Sequence, residues 1–266
     1  MLWDVDYTLV NAGGLGTRMY EAAFRELFGR DLLAVASKAG RTDRAILLDT
    51  LALAGIAEPR VHVDDLLAVL ACQSAAADGT VRDDVRAMPG ASAAVAALAD
   101  VGARQSVLTG NVRPLAELKL GLAGLGEHLD LDVGAYGDMH EVRAELVPVA
   151  RQAAREAYGA DFGGTSTVLV GDTSLDVAAA LAAGARTVAV ATGTFSAGEL
   201  AEAGAHVVLP DLTDASLVLA AVTGHRDADD IKQPGDVGTL AGLDSRASTA
   251  AASRPSHGPG APWPTR

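Results

Sequence analysis

The chain has 266 residues, a formal net charge of −13 and 49% hydrophobic residues, but only 4% aromatics. That length supports one large domain, or a domain with an insert, around a core of Ala, Leu and Val. The acidic balance argues against nucleic acid and anionic membrane surfaces as partners, and the lone cysteine, Cys72, excludes an intramolecular disulfide and points to a reducing, cytoplasmic setting.

The chain opens on a short apolar run, Met1-Leu2-Trp3, which continues through Val5 and carries Asp4 and Asp6. Side chains alternate along an extended strand, so two acids two residues apart point the same way. Asn11 to Gly16 reads as a loop. Its glycines do not fit the G-x-G-x-x-G spacing and no acidic-tipped second strand follows, so it is not read as a dinucleotide fingerprint. Thr17 is placed as the cap of a helix running to about Gly29. Thr42 caps a second to about Leu53, and a third covers about 63–76. Cys72 falls in the Ala/Leu-rich pattern of the third and reads as a buried core thiol. Residues 11–86 carry no strand pattern. They are expected to form an all-helical insert that leaves the sheet after strand 1 and returns near Met88-Pro89-Gly90.

From there strands and helices alternate. A helix is expected over 91–101, a strand over 103–108 ending in Thr109-Gly110-Asn111, and a helix over 113–123. A short strand at 131–133 and a glycine-bounded turn at 134–137 precede a helix over 143–158. A strand over 167–170 ends in Gly171-Asp172-Thr173. Helices over 174–183, 196–203 and 214–222 are interleaved with strands over 187–191 and 206–209. This alternation predicts an α/β fold, a doubly wound Rossmann-like parallel sheet formed by residues 1–10 and 87–223. Beyond 223 periodicity vanishes and Pro, Gly, Ser and Asp dominate, so 224–266 is expected to be a disordered tail. No apolar run reaches membrane-spanning length, and the start of the chain lacks the features of a signal peptide.

Three expected strands end in polar residues: Asp4 and Asp6; Thr109, Gly110 and Asn111; and Asp172, with Asp176 one helical turn further on. Taken singly, Thr109, Asn111 and Asp172 read equally well as helix caps. Parallel strands share a direction, however, so all three tips meet at one carboxyl edge of the sheet, where ligands bind in open α/β folds. Carboxylates gathered there stay ionised together only beside a positive charge, most simply a divalent cation.

These motifs resemble the haloacid dehalogenase superfamily, in its phosphoglycolate phosphatase-like branch with a helical cap. The resemblance rests on Asp4-x-Asp6-x-Thr8, on Thr109-Gly110-Asn111, on Gly171-Asp172-Thr173-Ser174-Leu175-Asp176, and on Gly40-Arg41-Thr42-Asp43 and Pro89-Gly90 in and after the insert. It covers about residues 1–222 and makes 11–86 the cap. It implies a Mg²⁺-dependent phosphatase hydrolysing a small phosphorylated metabolite such as phosphoglycolate through an aspartyl-phosphate. Asp4 would be the nucleophile and Asp6 the general acid and base. The metal would be held by Asp4, the Asp6 carbonyl and Asp172, with Asp176 binding a metal water or orienting its neighbour. Thr109, Gly110, Asn111 and Arg143 would bind the phosphate, Asn111 chiefly by orienting its loop. Arg143 is preferred over Lys119 as the basic residue, because Lys119 lies mid-helix where a solvated lysine is ordinary. Arg41 and Thr42 either face the leaving group or serve the surface. The second acid, Asp6, favours a phosphatase over a dehalogenase, since a departing halide needs no proton. A phosphomutase, or a catalytically idle member that binds a metabolite or protein, stays open as an alternative.

Two features depart from the family pattern. Tyr7 stands where the family usually has glycine. Only three residues precede Asp4, so a normally longer central strand is either preceded by more chain or tolerated as a stub, with fewer ladder bonds at about 1 kcal/mol each.

Overall fold

The computed structural model describes residues 1–77 and 85–224. The expected tail lies outside the described residues except for Gly224, as does the 78–84 portion of the insert.

In chain order the elements are β1 (Leu2–Trp3), β2 (Val10–Asn11), α1 (Leu15–Phe28), α2 (Asp43–Leu53), α3 (Pro59–Ala76), β3 (Arg86–Ala87), α4 (Ala91–Asp100), β4 (Ser106–Val107), α5 (Arg113–Ala123), α6 (Leu146–Tyr158), β5 (Val168–Gly171), α7 (Ser174–Ala182), β6 (Arg186–Val190), α8 (Ala197–Glu202), β7 (Val207–Leu209) and α9 (Ala215–Thr223). Five strands form a parallel sheet in the order β4-β1-β5-β6-β7. Although β1 has only two residues, it is central. Its ladder continues one step further, through Asp4 N–H to the Val170 carbonyl (2.8 Å) and Leu108 N–H to the Trp3 carbonyl (2.8 Å).

Strand alternation divides the core. Trp3, Val107, Val170 and Val188 face one apolar cluster, which also takes Leu98 of α4, Leu115 of α5 and Val218 of α9. Leu2 and Leu169 face a second, filled by Leu146 and Val147 of α6 and Ala179 and Ala180 of α7. Both faces are thus covered, as the doubly wound expectation requires. Leu, Val and Ala dominate both clusters. The main aromatic exception in the sheet, Trp3, donates its indole N–H to Gln105 Oε1 (2.9 Å), which satisfies its one buried donor.

Helices α1 and α2 each pack on α3, which also packs on α5. Their buried side chains, including Phe24, Leu47, Leu51, Leu66 and Leu70, join the first apolar cluster. The insert therefore shares a core with one face of the sheet.

Several expected boundaries shift for local reasons. Helix α1 begins two residues before Thr17, because Gly14 takes a left-handed conformation (φ 83°) and turns the chain in. Helix α3 starts at Pro59, whose fixed φ suits a first helical position. Residues 131–133 form a 3₁₀ turn rather than a strand: the Asp130 side chain accepts from Asp132 N–H (3.1 Å) and winds the segment. The sheet gains only a single bridge there, between Leu108 and Ala135. The insert also holds a small antiparallel ribbon, β2 with β3, pairing Val10 with Ala87 and Asn11 with Arg86. Two-residue strands show no alternation, so the pattern could not reveal them. Cys72 is exposed, not buried: the buried face of α3 is Val63, Leu66, Leu67, Leu70 and Ser74, and position 72 falls off that stripe.

Candidate active site

Asp4 leaves the end of β1 and Asp172 the end of β5, while Asp176 sits in the first turn of α7. A capping box positions Asp176. Thr173 accepts from Asp176 N–H (3.2 Å), and the Asp176 carboxylate accepts from Thr173 N–H (3.1 Å). Glycine clears the approach. A Cβ at Gly171 would overlap the Asp176 carboxylate, and one at Gly193 would overlap that of Asp172.

Asp4, Asp172 and Asp176 are all buried, and each offers an oxygen within 4.8 Å of the others'. One guanidinium serves the group. Arg143, itself buried, hydrogen-bonds Asp4 Oδ1 through Nη2 and forms an ion pair with Asp176 Oδ1 (2.7 Å). Asp172 also accepts from the Thr8 hydroxyl (3.2 Å). Three carboxylates against one cation leave an excess of negative charge. Burial pushes the Asp4 carboxyl up to about 7, opposed by Arg143 and reinforced by Asp176 and Asp6. Burial, then repulsion from Asp4 and Asp176, pushes Asp172 up to about 9. A buried set of hard oxygen donors with unbalanced charge fits a divalent cation.

The Asp6 carboxylate is held apart from that cluster. Lys119 Nζ reaches both its oxygens (2.8 and 2.6 Å), and Asn111 Nδ2 donates to Oδ2 (2.8 Å). Lys119 also donates to Asn111 Oδ1, closing a triangle. Burial pushes the Asp6 carboxyl up, but the Lys119 ammonium and these hydrogen bonds outweigh it and hold it below the ordinary carboxylate range. Lys119 is 3% exposed, so the expectation of a solvated lysine is corrected. Asn111, expected at the phosphate, has both side-chain ends committed to this triangle, and its N–H donates to Thr109 Oγ1 (3.2 Å). Thr109 is fully buried.

These groups open on a cavity of about 360 Å³ lined by Asp4, Asp6, Gly110, Arg143, Asp172 and, from the insert, Lys38, among others. Lys38 carried no motif signal. Its ammonium hydrogen-bonds the Thr17 hydroxyl, and burial, with the Lys119 charge nearby, lowers its pKa. Arg41 turns its guanidinium to Asp49 (2.6 Å) and to the carbonyls of Ser37 and Ala45. Thr42 caps α2, accepting from Ala45 N–H (3.2 Å), and donates to the Glu141 carbonyl (2.9 Å). Thr42 thus serves structure, while Arg41, with its guanidinium paired to Asp49, also lines the cavity.

The start of α2 closes the cavity by main-chain contact. Asp43 N–H donates to the Gly110 carbonyl (2.6 Å) and Arg44 N–H to that of Gly137 (3.1 Å). The Asp43 carboxylate accepts from the Tyr20 hydroxyl and from Val112 N–H (2.8 Å), and burial pushes its carboxyl up to about 6.

Comparison with known proteins bears on the family and the fold. Residues 142–215 match a family model described as HAD-hydrolase-like. The chain is 32% identical over 220 residues to a plasmid-encoded phosphoglycolate phosphatase of Cupriavidus necator, covering 80% of this chain and 89% of that one. Among solved structures it resembles a predicted phosphatase from Clostridium acetobutylicum (TM-score 0.59, 17% identity, 82% of this chain and 96% of that one). It also resembles a hydrolase from Pseudomonas syringae (TM-score 0.56, 19% identity, the same coverages). With a parallel sheet that gathers its acids at one edge and a relative this similar along most of its length, the chain belongs to the haloacid dehalogenase-like hydrolases, among their phosphatases.

Proposed function

We propose that this phosphatase hydrolyses a small organic phosphate monoester, of the size and kind of phosphoglycolate, with Mg²⁺ held by Asp4, the Asp6 carbonyl and Asp172, and Asp176 beside them binding a metal water or orienting its neighbour. The observation that carries the reading is the separation of two acid environments within one small polar cavity. Asp4 stands in the acid cluster with Arg143, while Asp6 is tied to Lys119 and Asn111. Two carboxylates in different surroundings are suited to different tasks. The cavity volume supports a metabolite-sized substrate, and the Cupriavidus relative, named for phosphoglycolate, supports the substrate class.

In this reading an Asp4 oxygen attacks phosphorus in line with the ester oxygen. The Asp4–phosphorus bond forms and the ester bond breaks; the departing oxygen takes its proton through Asp6, which Lys119 holds ionised in the resting site and which must therefore pick up a proton from solvent before this step. Asp6 then takes a proton from the water that attacks the aspartyl-phosphate, releasing phosphate and restoring Asp4. Arg143 and the Gly110 loop face the phosphoryl oxygens. When bound, the divalent ion supplies charge neutralisation to those oxygens. Helices α1–α3 act as the cap, with Lys38 and Arg41 among the cations it brings to the cavity. The lone cysteine supports a reducing, cytoplasmic setting.

The test is hydrolysis of p-nitrophenyl phosphate by wild type, Asp4→Asn and Asp6→Asn, each with Mg²⁺ and with EDTA. Asp4→Asn is expected to abolish turnover and EDTA to suppress the wild type. Substantial activity in Asp4→Asn would remove Asp4 as nucleophile.

A further inference from the structure

Lys119 is more deeply buried than Asp6, and the chemistry described above gives it no task. An ammonium has three N–H donors. Here all three have partners: Asp6 Oδ1, Asp6 Oδ2 and Asn111 Oδ1. None remains for a substrate oxygen, which sets Lys119 apart from Arg143. On the other side, an ionised carboxylate offers about four acceptor sites. Lys119 occupies one on each Asp6 oxygen, and Asn111 Nδ2 takes a second on Oδ2. The unfilled site is on Oδ1. Asp6 itself lines the cavity, with its side chain 33% exposed. From α1, Gly16 faces Lys119: a Cβ there would stand 3.6 Å from Nζ, an ordinary contact distance.

Resting on the proposed phosphatase reading, we infer that Lys119 is a positioning residue: with Asn111 it fixes Asp6 so that a single oxygen, Oδ1, faces the cavity as the base for the second half-reaction. In that step the Asp6 Oδ1–H bond forms as a water O–H bond breaks. The water oxygen bonds to phosphorus, and the bond between phosphorus and Asp4 breaks, its electron pair returning to the carboxylate. The ammonium keeps its protons throughout.

The experiment uses p-nitrophenyl phosphate, whose phenolate departs without a proton, so formation of the aspartyl-phosphate does not need Asp6. Lys119→Met is expected to lower kcat about 100-fold, the scale of a lost general base. KM should fall in parallel, so that kcat/KM changes far less. The first turnover should release a burst of p-nitrophenolate approaching one equivalent per enzyme, as the phosphorylated enzyme accumulates. Lys119→Arg, which keeps charge and donors, should recover part of kcat. If kcat and kcat/KM fall together with no burst, Lys119 serves only the packing of α5 and the inference is overturned. Should Lys119→Met fail to melt cooperatively, Lys119→Gln is read by the same burst. A wild type that hydrolyses no phosphate ester would overturn the phosphatase reading as well, whereas active wild type with an unsplit variant overturns this inference alone.

Discussion

Tyr7 shows how one backbone angle translates into family preference. Its φ is 60°, in the left-handed region, which costs a non-glycine residue roughly 1–2 kcal/mol. Its side chain is half exposed, and its carbonyl accepts from the Thr192 hydroxyl (2.6 Å), a bond that any residue at position 7 could make. Glycine relieves the strain but loses more chain entropy on folding, about 0.5–1 kcal/mol. Tyr7→Gly is therefore expected to raise stability by about 0.5 kcal/mol in urea unfolding, while the β-branched Tyr7→Val lowers it. A loss on Tyr7→Gly would mean that the ring's packing outweighs the strain. At this scale the sequence was legible where a residue sits beside a recognised motif, as Asp4, Asp6, Asp172 and Asp176 do. It was not legible for Lys119, whose partner Asp6 is 113 positions away. Nothing local distinguishes that lysine from a solvated one. Lys38 was silent for the same reason, since its importance comes only from the loop that brings it over the cavity.

Among the elements, α2 is the informative one. Its cap, Thr42, was readable from sequence because capping is local. What its N-terminus docks against was not. A Cβ at Gly137 would overlap the Gly110 carbonyl and crowd Asp43 N–H. Gly137→Ala should thus spoil both main-chain bonds that dock α2 on the cavity, raising KM and lowering the melting temperature. An unchanged KM would show that closure does not depend on that contact. Asp43 adds a pH test. Its folded pKa of about 6 exceeds the ordinary value near 4. A raised carboxyl pKa favours folding below the unfolded pKa, and that stability is lost as pH rises through the folded one. From pH 4 to 7 the wild type should lose about 1–3 kcal/mol at this site. Asp43→Asn, with nothing to titrate, should not show that part of the slope. Parallel slopes for the two proteins in urea midpoints would refute the assignment. The weak strand at 131–133 was misjudged because three apolar-flanked residues carry too little periodicity to outweigh the Asp130 turn.

For the whole molecule, alternation of strand and helix made the sheet, its two covered faces and its functional edge readable without coordinates. The central place of β1 is a tertiary fact. Two residues earn it by pairing with β4 on one side and β5 on the other, and no local propensity encodes that. Metal binding should be visible in global stability. Asp4 and Asp172, at about 7 and about 9, must lose protons to hold a cation. Adding Mg²⁺ should therefore raise the melting temperature more at pH 8.5 than at pH 6, and Asp172→Asn should flatten the response. A shift independent of pH would argue that the ion binds elsewhere.

The β2–β3 ribbon has a consequence for how such a protein can diversify. Val10 and Ala87 are partners across it, so the points where the chain departs for α1–α3 and comes back are about one strand spacing apart, roughly 5 Å. A splice at that seam keeps the path of β1, but a replacement segment must still cover the apolar face shared with Trp3 and Val107 and supply the Asp43 contacts to Gly110 and Val112. New substrate preferences can then be tried in one stretch of gene only where those contacts are kept.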